Sequence, residues 1–158
     1  MLLIGIKDIK QFMNLLLTQN TFDDFSMVEC TVKKYITYEL DGHTNRKFLG
    51  EDETAKEDGE YIGWDKARPE CLELIKGKRT PLYMKFILQK EPGQDAELPF
   101  SKEISSYILN ITFSDKGLTL TTAVNLNGFY PDSDAPSVWD AYIERRLNKL
   151  SLKLDILK

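Results

Sequence analysis

Residues 107–126 read YILNITFSDKGLTLTTAVNL. Tyr107, Leu109, Ile111 and Phe113 alternate with their neighbours, and Leu118, Leu120, Thr122, Val124 and Leu126 do so again after the linker Ser114-Asp115-Lys116-Gly117. A period of two sends successive side chains to opposite faces of a strand, and a short glycine-containing linker turns the chain back, so this stretch predicts a hairpin. Apart from Ile108 its large apolar residues lie on one face. That pattern belongs to antiparallel sheets with one solvated face, whereas strands of doubly wound sheets are buried on both sides and read as unbroken apolar runs.

Working outward, Leu82, Met84, Phe86 and Leu88 alternate with Tyr83, Lys85, Ile87 and Gln89, which predicts another half-buried strand. Val28, Cys30, Val32, Ile36, Tyr38 and Leu40 share a face in what reads as one long strand, broken only at Lys34. Asp41-Gly42 at its end suits a tight turn, with a return strand near Asn45 to Leu49. Met1 to Ile6 is a candidate leading strand. Three segments change to helical spacing. Ile9, Phe12, Met13, Leu16 and Leu17 follow Asp8 as a candidate cap; a second helix is marked by Trp64, Asp65 and Pro69, with Cys71, Leu72, Leu74 and Ile75 behind them and Gly77 to end it; Trp139, Ile143, Leu147 and Leu150 follow Asp134-Ala135-Pro136-Ser137, with Asp134 or Ser137 as cap. After Leu150 strand and helix readings are both open. The expectation is an α+β fold: an antiparallel sheet of about five strands with one face covered by about three helices.

With 158 residues the chain reads as a single domain over 1–158. Apolar residues at 42% and charged residues at 29% place it among folded chains. A leader peptide and a membrane span are both unsupported, since the apolar start is about six residues long and meets Lys7 and Asp8. A cytoplasmic location is the resulting expectation. The net charge of −4 is concentrated in residues 51–60, EDETAKEDGE, which carry six carboxylates and one lysine and read as a solvated loop. By contrast, residues 76–90 contain Lys76, Lys78, Arg79, Lys85 and Lys90 and no acid.

Little in the chain points to catalysis. His43 is the single histidine, so any triad or multi-histidine metal centre would need it, and its place in the turn Asp41–Asn45 suits an exposed polar residue. Cys30 and Cys71 fall within apolar runs and read as reduced packing residues. Aligning Gly59 with the glycine of a calcium-binding EF-hand loop puts Thr54 and Lys56 where carboxylates belong, so that match fails. Phosphate-binding glycine loops and nucleophile elbows are missing as motifs. No cofactor and no metal ligand set is expected.

Four phrases taken together, Asp8-Ile9-Lys10-Gln11-Phe12-Met13, Thr21-Phe22-Asp23, Ile75 to Leu82 and Trp139-Asp140, resemble a family of short clostridial proteins catalogued as a domain of unknown function. The resemblance implies a stand-alone bacterial intracellular protein and transfers no catalytic or binding residues.

The functional expectation is a non-enzymatic module that binds another protein or itself. Its alternative is an anion or nucleic-acid binder using Lys76, Lys78, Arg79 and Lys85, where exposed amides and fixed positive charges meet between a helix and a strand. A sequence pI near 5.1 weighs against nucleic acid. An enzyme is the least supported reading, and no membrane partner is expected.

Overall fold

The computed structural model describes residues 1–49 and 59–157. Seven strands lie among them: β1 (Leu3–Ile6), β2 (Ser26–Lys33), β3 (Thr37–Asp41), β4 (Tyr83–Lys90), β5 (Ile104–Ser114), β6 (Gly117–Leu126) and β7 (Leu154–Ile156). They form one antiparallel sheet in the order β3-β2-β4-β5-β6-β1-β7. Four helices accompany it: α1 (Ile9–Leu17), α2 (Arg46–Leu49), α3 (Trp64–Ile75) and α4 (Ala135–Asn148). The fold is α+β as the alternation predicts, with two more strands and one more helix than expected.

Strand register turns the alternating pattern into a core. Cys30, Phe86, Ile111, Leu120 and Ile4 are successive cross-strand partners in one row, and all five are buried. On the opposite face the neighbouring row is Thr31, Lys85, Thr112, Thr119 and Gly5. α1 packs on α3, α3 on β2 and α4 on β6, so the larger helices cover the apolar face. Two tryptophans anchor this layer. Trp64 Nε1 donates to the Leu16 carbonyl at 3.0 Å, and Trp139 Nε1 donates to the Ile108 carbonyl at 2.8 Å, which satisfies both buried indole donors. Thr122, the polar member of the β6 apolar face, is satisfied too: its hydroxyl accepts from Leu2 N and donates to Asp140 on α4.

Several expectations need correction. Residues 28–40 are not one strand but the β2–β3 hairpin, closed where Lys34 N donates to the Ile36 carbonyl at 3.0 Å. Val32 pairs with Tyr38, and paired residues share a face. Their even separation carries the alternation unbroken through the turn, which hides it from a count of periods. Asn45 to Leu49 holds α2 in place of a return strand. Leu82 precedes β4 and is 74% exposed instead of joining its apolar face. α4 ends at Asn148, and the tail supplies β7, which pairs Ile156 with Ile4 and covers the β1 edge. Asp8 and Asp134 occupy N-cap positions without side-chain cap bonds. The acidic stretch lies outside the described residues up to residue 58.

Gly42 is required for a different reason from the expected hairpin turn. A Cβ there would stand 1.8 Å from the Met27 carbonyl oxygen, because Gly42 N donates to Val28 O and its own carbonyl accepts from Ile62 N. Gly77, at φ +148°, has open space around it. Gly42→Ala is therefore expected to destabilise by about 4 kcal/mol or more, as backbone must move. Gly77→Ala costs only the ~1–2 kcal/mol of an unfavourable φ. Urea unfolding of the two variants measures both.

Candidate functional site

The structure separates the four basic residues singled out from sequence. Lys76 caps the C-terminal end of α3 and pairs with Glu73 one turn back, at 2.7 Å. Lys78 and Arg79 follow in the exposed α3–β4 connection, where the Arg79 guanidinium lies 5.8 Å from the centroid of the Tyr35 ring. Lys85 stands on the outer sheet face between Thr31 and Thr112. Of the four, Lys76 and Arg79 line concave surface, each in a different hollow.

Those two hollows flank the connection. On one side a shallow groove of about 1170 Å³ runs between α1 and α3, with Ile9, Met13, Leu17 and Leu72 along it and Lys7, Lys10 and Lys76 at its rim. On the other, a small hollow of about 180 Å³ is formed by Lys34, Tyr35, Arg79, Thr80, Pro81 and Leu82. Here three large apolar side chains face solvent: Tyr35 is 85% exposed, Leu82 74% and Ile36 62%. The β2–β3 turn is held against the connection because Leu82 N donates to the Lys33 carbonyl at 2.8 Å and Lys34 Nζ donates to the Leu74 carbonyl at 3.0 Å. Apolar surface from two separate segments is thus presented together, with cations between. The sequence signal for the turn was the Lys34 break in the apolar face.

Two other titratable groupings stand out. His43 is exposed as its turn position suggests, and it lies between two carboxylates, with Nδ1 2.6 Å from Asp41 and Nε2 3.4 Å from Glu60. The Asp41 hydrogen bond foremost holds its pKa above the usual histidine value, and the amide of His43 in turn holds Asp41 low. Among the described residues its nitrogen partners are acids, not a hydroxyl or thiol, so a nucleophile for it to activate is missing. Nor do three His, Cys, Asp or Glu side chains converge as a metal centre among them.

The second grouping escaped the sequence reading. Lys90, 3% exposed, reaches Asp24 at 2.8 Å and Asp95 at 3.4 Å. Arg146 on α4 clasps the same Asp24 with both terminal nitrogens and donates to the Thr21 carbonyl at 2.7 Å. Tyr142 donates to Asp95 at 2.7 Å and accepts from Arg146 at 2.9 Å. With two acids facing two bases, the network is charge-balanced and internally satisfied, which marks it as structural. It draws on the α1–β2 connection, β4, the β4–β5 loop and α4, and no spacing in sequence announces that meeting.

A family model matches residues 15–155, from the last turn of α1 to β7. The chain belongs to DUF5721, a family of unknown function. The match to DUF5721 takes in the basic connection, the β2–β3 hairpin and the Lys90 network. No curated protein and no solved structure matches the chain. No helix among the described residues is long and apolar enough to cross a membrane.

Burial pushes the Asp24 carboxyl up, but hydrogen bonds from Arg146 and Lys90 outweigh it and leave its pKa below the usual carboxylate value. Asp95 is lowered first by its bond from Tyr142. A depressed folded-state pKa adds stability above the unfolded value and loses it as pH falls through the folded one. Unfolding free energy is thus expected to be flat in this respect near neutrality and to drop below about pH 4. The slope in that window is shallower in Asp95→Asn, read by chemical denaturation from pH 2 to 6.

Proposed function

We propose that this DUF5721 member is a non-enzymatic protein-interaction module, and that it takes an acidic, amphipathic segment of another protein along the α3–β4 connection. The observation that carries this reading is the exposed trio Tyr35, Ile36 and Leu82 brought together beside Lys34 and Arg79, with Lys78 next in sequence. Exposed apolar side chains are unremarkable singly, but contiguous ones rimmed by charge are typical of docking surfaces. The groove between α1 and α3 lies at the other end of the connection, with apolar side chains at helical spacing along its floor and Lys7, Lys10 and Lys76 with Asp8 at its edge. An amphipathic helix laid into such a groove would bury its apolar face while its carboxylates meet the lysines and Arg79. Arg79, stacked on Tyr35, is the residue best prepared to grip a carboxylate by its planar fork.

A photo-crosslinking side chain placed at position 82 or position 13 tests this in a native lysate. A discrete protein adduct is expected from both positions, absent from position 112 on the outer sheet face. The double change Lys78→Glu, Arg79→Glu is expected to weaken that partner's binding roughly tenfold or more, since like charges then face each other. Adducts equally strong from position 112 overturn the reading. Retention on single-stranded oligonucleotide at low salt alone, lost in the double variant, would transfer the connection to the nucleic-acid alternative.

A further inference from the structure

The two edges of the sheet differ. Just past β3 the chain is bound by the segment 60–62, since Thr44 N donates to the Glu60 carbonyl and Ile62 N to the Gly42 carbonyl. β7, at the other edge, has β1 on one side and no strand among the described residues on the other. The ladder to β1 fixes which of its backbone groups are used. Lys7 N donates to the Lys153 carbonyl at 3.3 Å, Leu157 N donates to the Leu3 carbonyl at 2.8 Å, and Asp155 pairs with Gly5 between them. Antiparallel bonding alternates along a strand, so residues 153, 155 and 157 turn their amides and carbonyls towards β1, while 154 and 156 turn theirs outward. Such an edge is a template for another strand unless proline, a bulge or unmatched charge blunts it. Residues 153–157 contain no proline, their register to β1 is unbroken, and Ile156 and Leu157 are more than half exposed.

The charges on β7 select the strand that fits it. Lys153 and Asp155 are exposed and flank Leu154 on the outer face, whereas Leu154 and Ile156 share the face of Ile6 and Ile4. Opposite charges directly across a strand pair stabilise it, and like charges destabilise it. A second copy brought antiparallel by a two-fold axis can be centred on any residue from 153 to 156. Centring on Lys153 or Asp155 sets each against its own kind, and centring on Ile156 leaves Lys153 without a residue opposite. Centring on Leu154 sets Lys153 of each copy against Asp155 of the other, with Leu154 against Leu154 and Leu152 against Ile156. It also places the outward amide and carbonyl of Leu154 where they exchange both bonds with those of the second copy. We propose that β7 is a homodimerisation edge, at which two copies of this chain pair β7 with β7 about a two-fold axis at Leu154. The segment Lys153-Leu154-Asp155 is self-complementary, as an isologous contact requires. The ladder is short, so the dimer is weak and reversible. β7 and the β2–β3 turn belong to opposite ends of the sheet order, so this surface is separate from the one that takes the acidic segment.

The test is analytical ultracentrifugation of the full chain over roughly 1 µM to 1 mM, the range in which a weak dimer assembles. The average mass is expected to climb from the 18.2 kDa of one chain towards twice that value and to stop there. Lys153→Asp and Asp155→Lys, both at exposed positions, are each expected to dimerise roughly tenfold or more weakly, since like charges then face each other across the axis. Mixing the two variants restores opposite charges on both sides of the axis, and the mixture is expected to dimerise at least as tightly as the parent. A residue that only supports the fold is not rescued by mixing. Ile156→Pro removes an outward N–H and leaves the bonds to β1 in place, and it is expected to abolish the dimer while circular dichroism stays native. If that variant fails to fold, the charge variants and their mixture decide. A monomer mass at every concentration, masses beyond the dimer, single charge variants that dimerise like the parent, or a mixture no tighter than its components overturns the proposal. The crosslinks from positions 82 and 13 are read on a different surface, so neither result decides the other.

Discussion

Lys90 is the residue whose placement the covering layer depends on. A lysine ammonium buried at the end of a central strand is tolerable only if carboxylates surround it, because desolvation costs several kcal/mol per ion without them. Asp24 and Asp95 meet that need from the α1–β2 connection and the β4–β5 loop. Once there, Asp24 also fixes Arg146, and Asp95 fixes Tyr142, so α4 is held in rotation and in height by two polar contacts as well as by its apolar stripe. The same side chains carry the aromatic wall. Trp139 stacks on Tyr142 at 5.3 Å and tilts against Phe25 at 6.3 Å, and Arg146 lies 5.0 Å from the Phe25 ring centre. Removing any one charge would leave its partners facing apolar neighbours.

A second constraint sits at the other end of the layer. The bulge after Met27 and the close approach of Gly42 to the Met27 carbonyl occur at the same place, and both follow from threading the segment 59–63 beside β2. Met27 N donates to Ile62 O and Trp64 N to Phe25 O, so the start of α3 is fixed by backbone bonds to the β2 strand. That attachment puts Cys71 against Met27, its Sγ 3.9 Å from the methionine sulfur. It also sets where α3 ends, and therefore where the basic connection emerges beside the β2–β3 turn.

The groove between α1 and α3 and the contact of Cys71 with Met27 both draw on α3. Leu72 and Lys76 face the groove shared with α1, while Trp64, Ala67 and Cys71 face the sheet. Helical spacing separates the two sets. The outer sheet face carries Thr31, Thr112, Thr119 and Lys85.

Periodicity in the sequence alone determined the α+β class, the β5–β6 hairpin, and the faces of α1 and α4. Each is a local consequence of side-chain spacing, as is the placing of Phe86, Ile111 and Leu120 in the core. The β2–β3 turn was hidden because Val32 and Tyr38 keep the same parity across it, and the fate of Leu152, Leu154 and Ile156 depended on whether β1 offered an open edge. Only the tertiary structure decided the long-range meetings. Asp24 with Arg146 spans 122 residues, and Cys71 with Met27 spans 44; no spacing rule operates at such separations. The basic character of residues 76–79 was plain from composition. That Tyr35, Ile36 and Leu82 stand exposed beside it was not, because exposure depends on which other segments pack nearby.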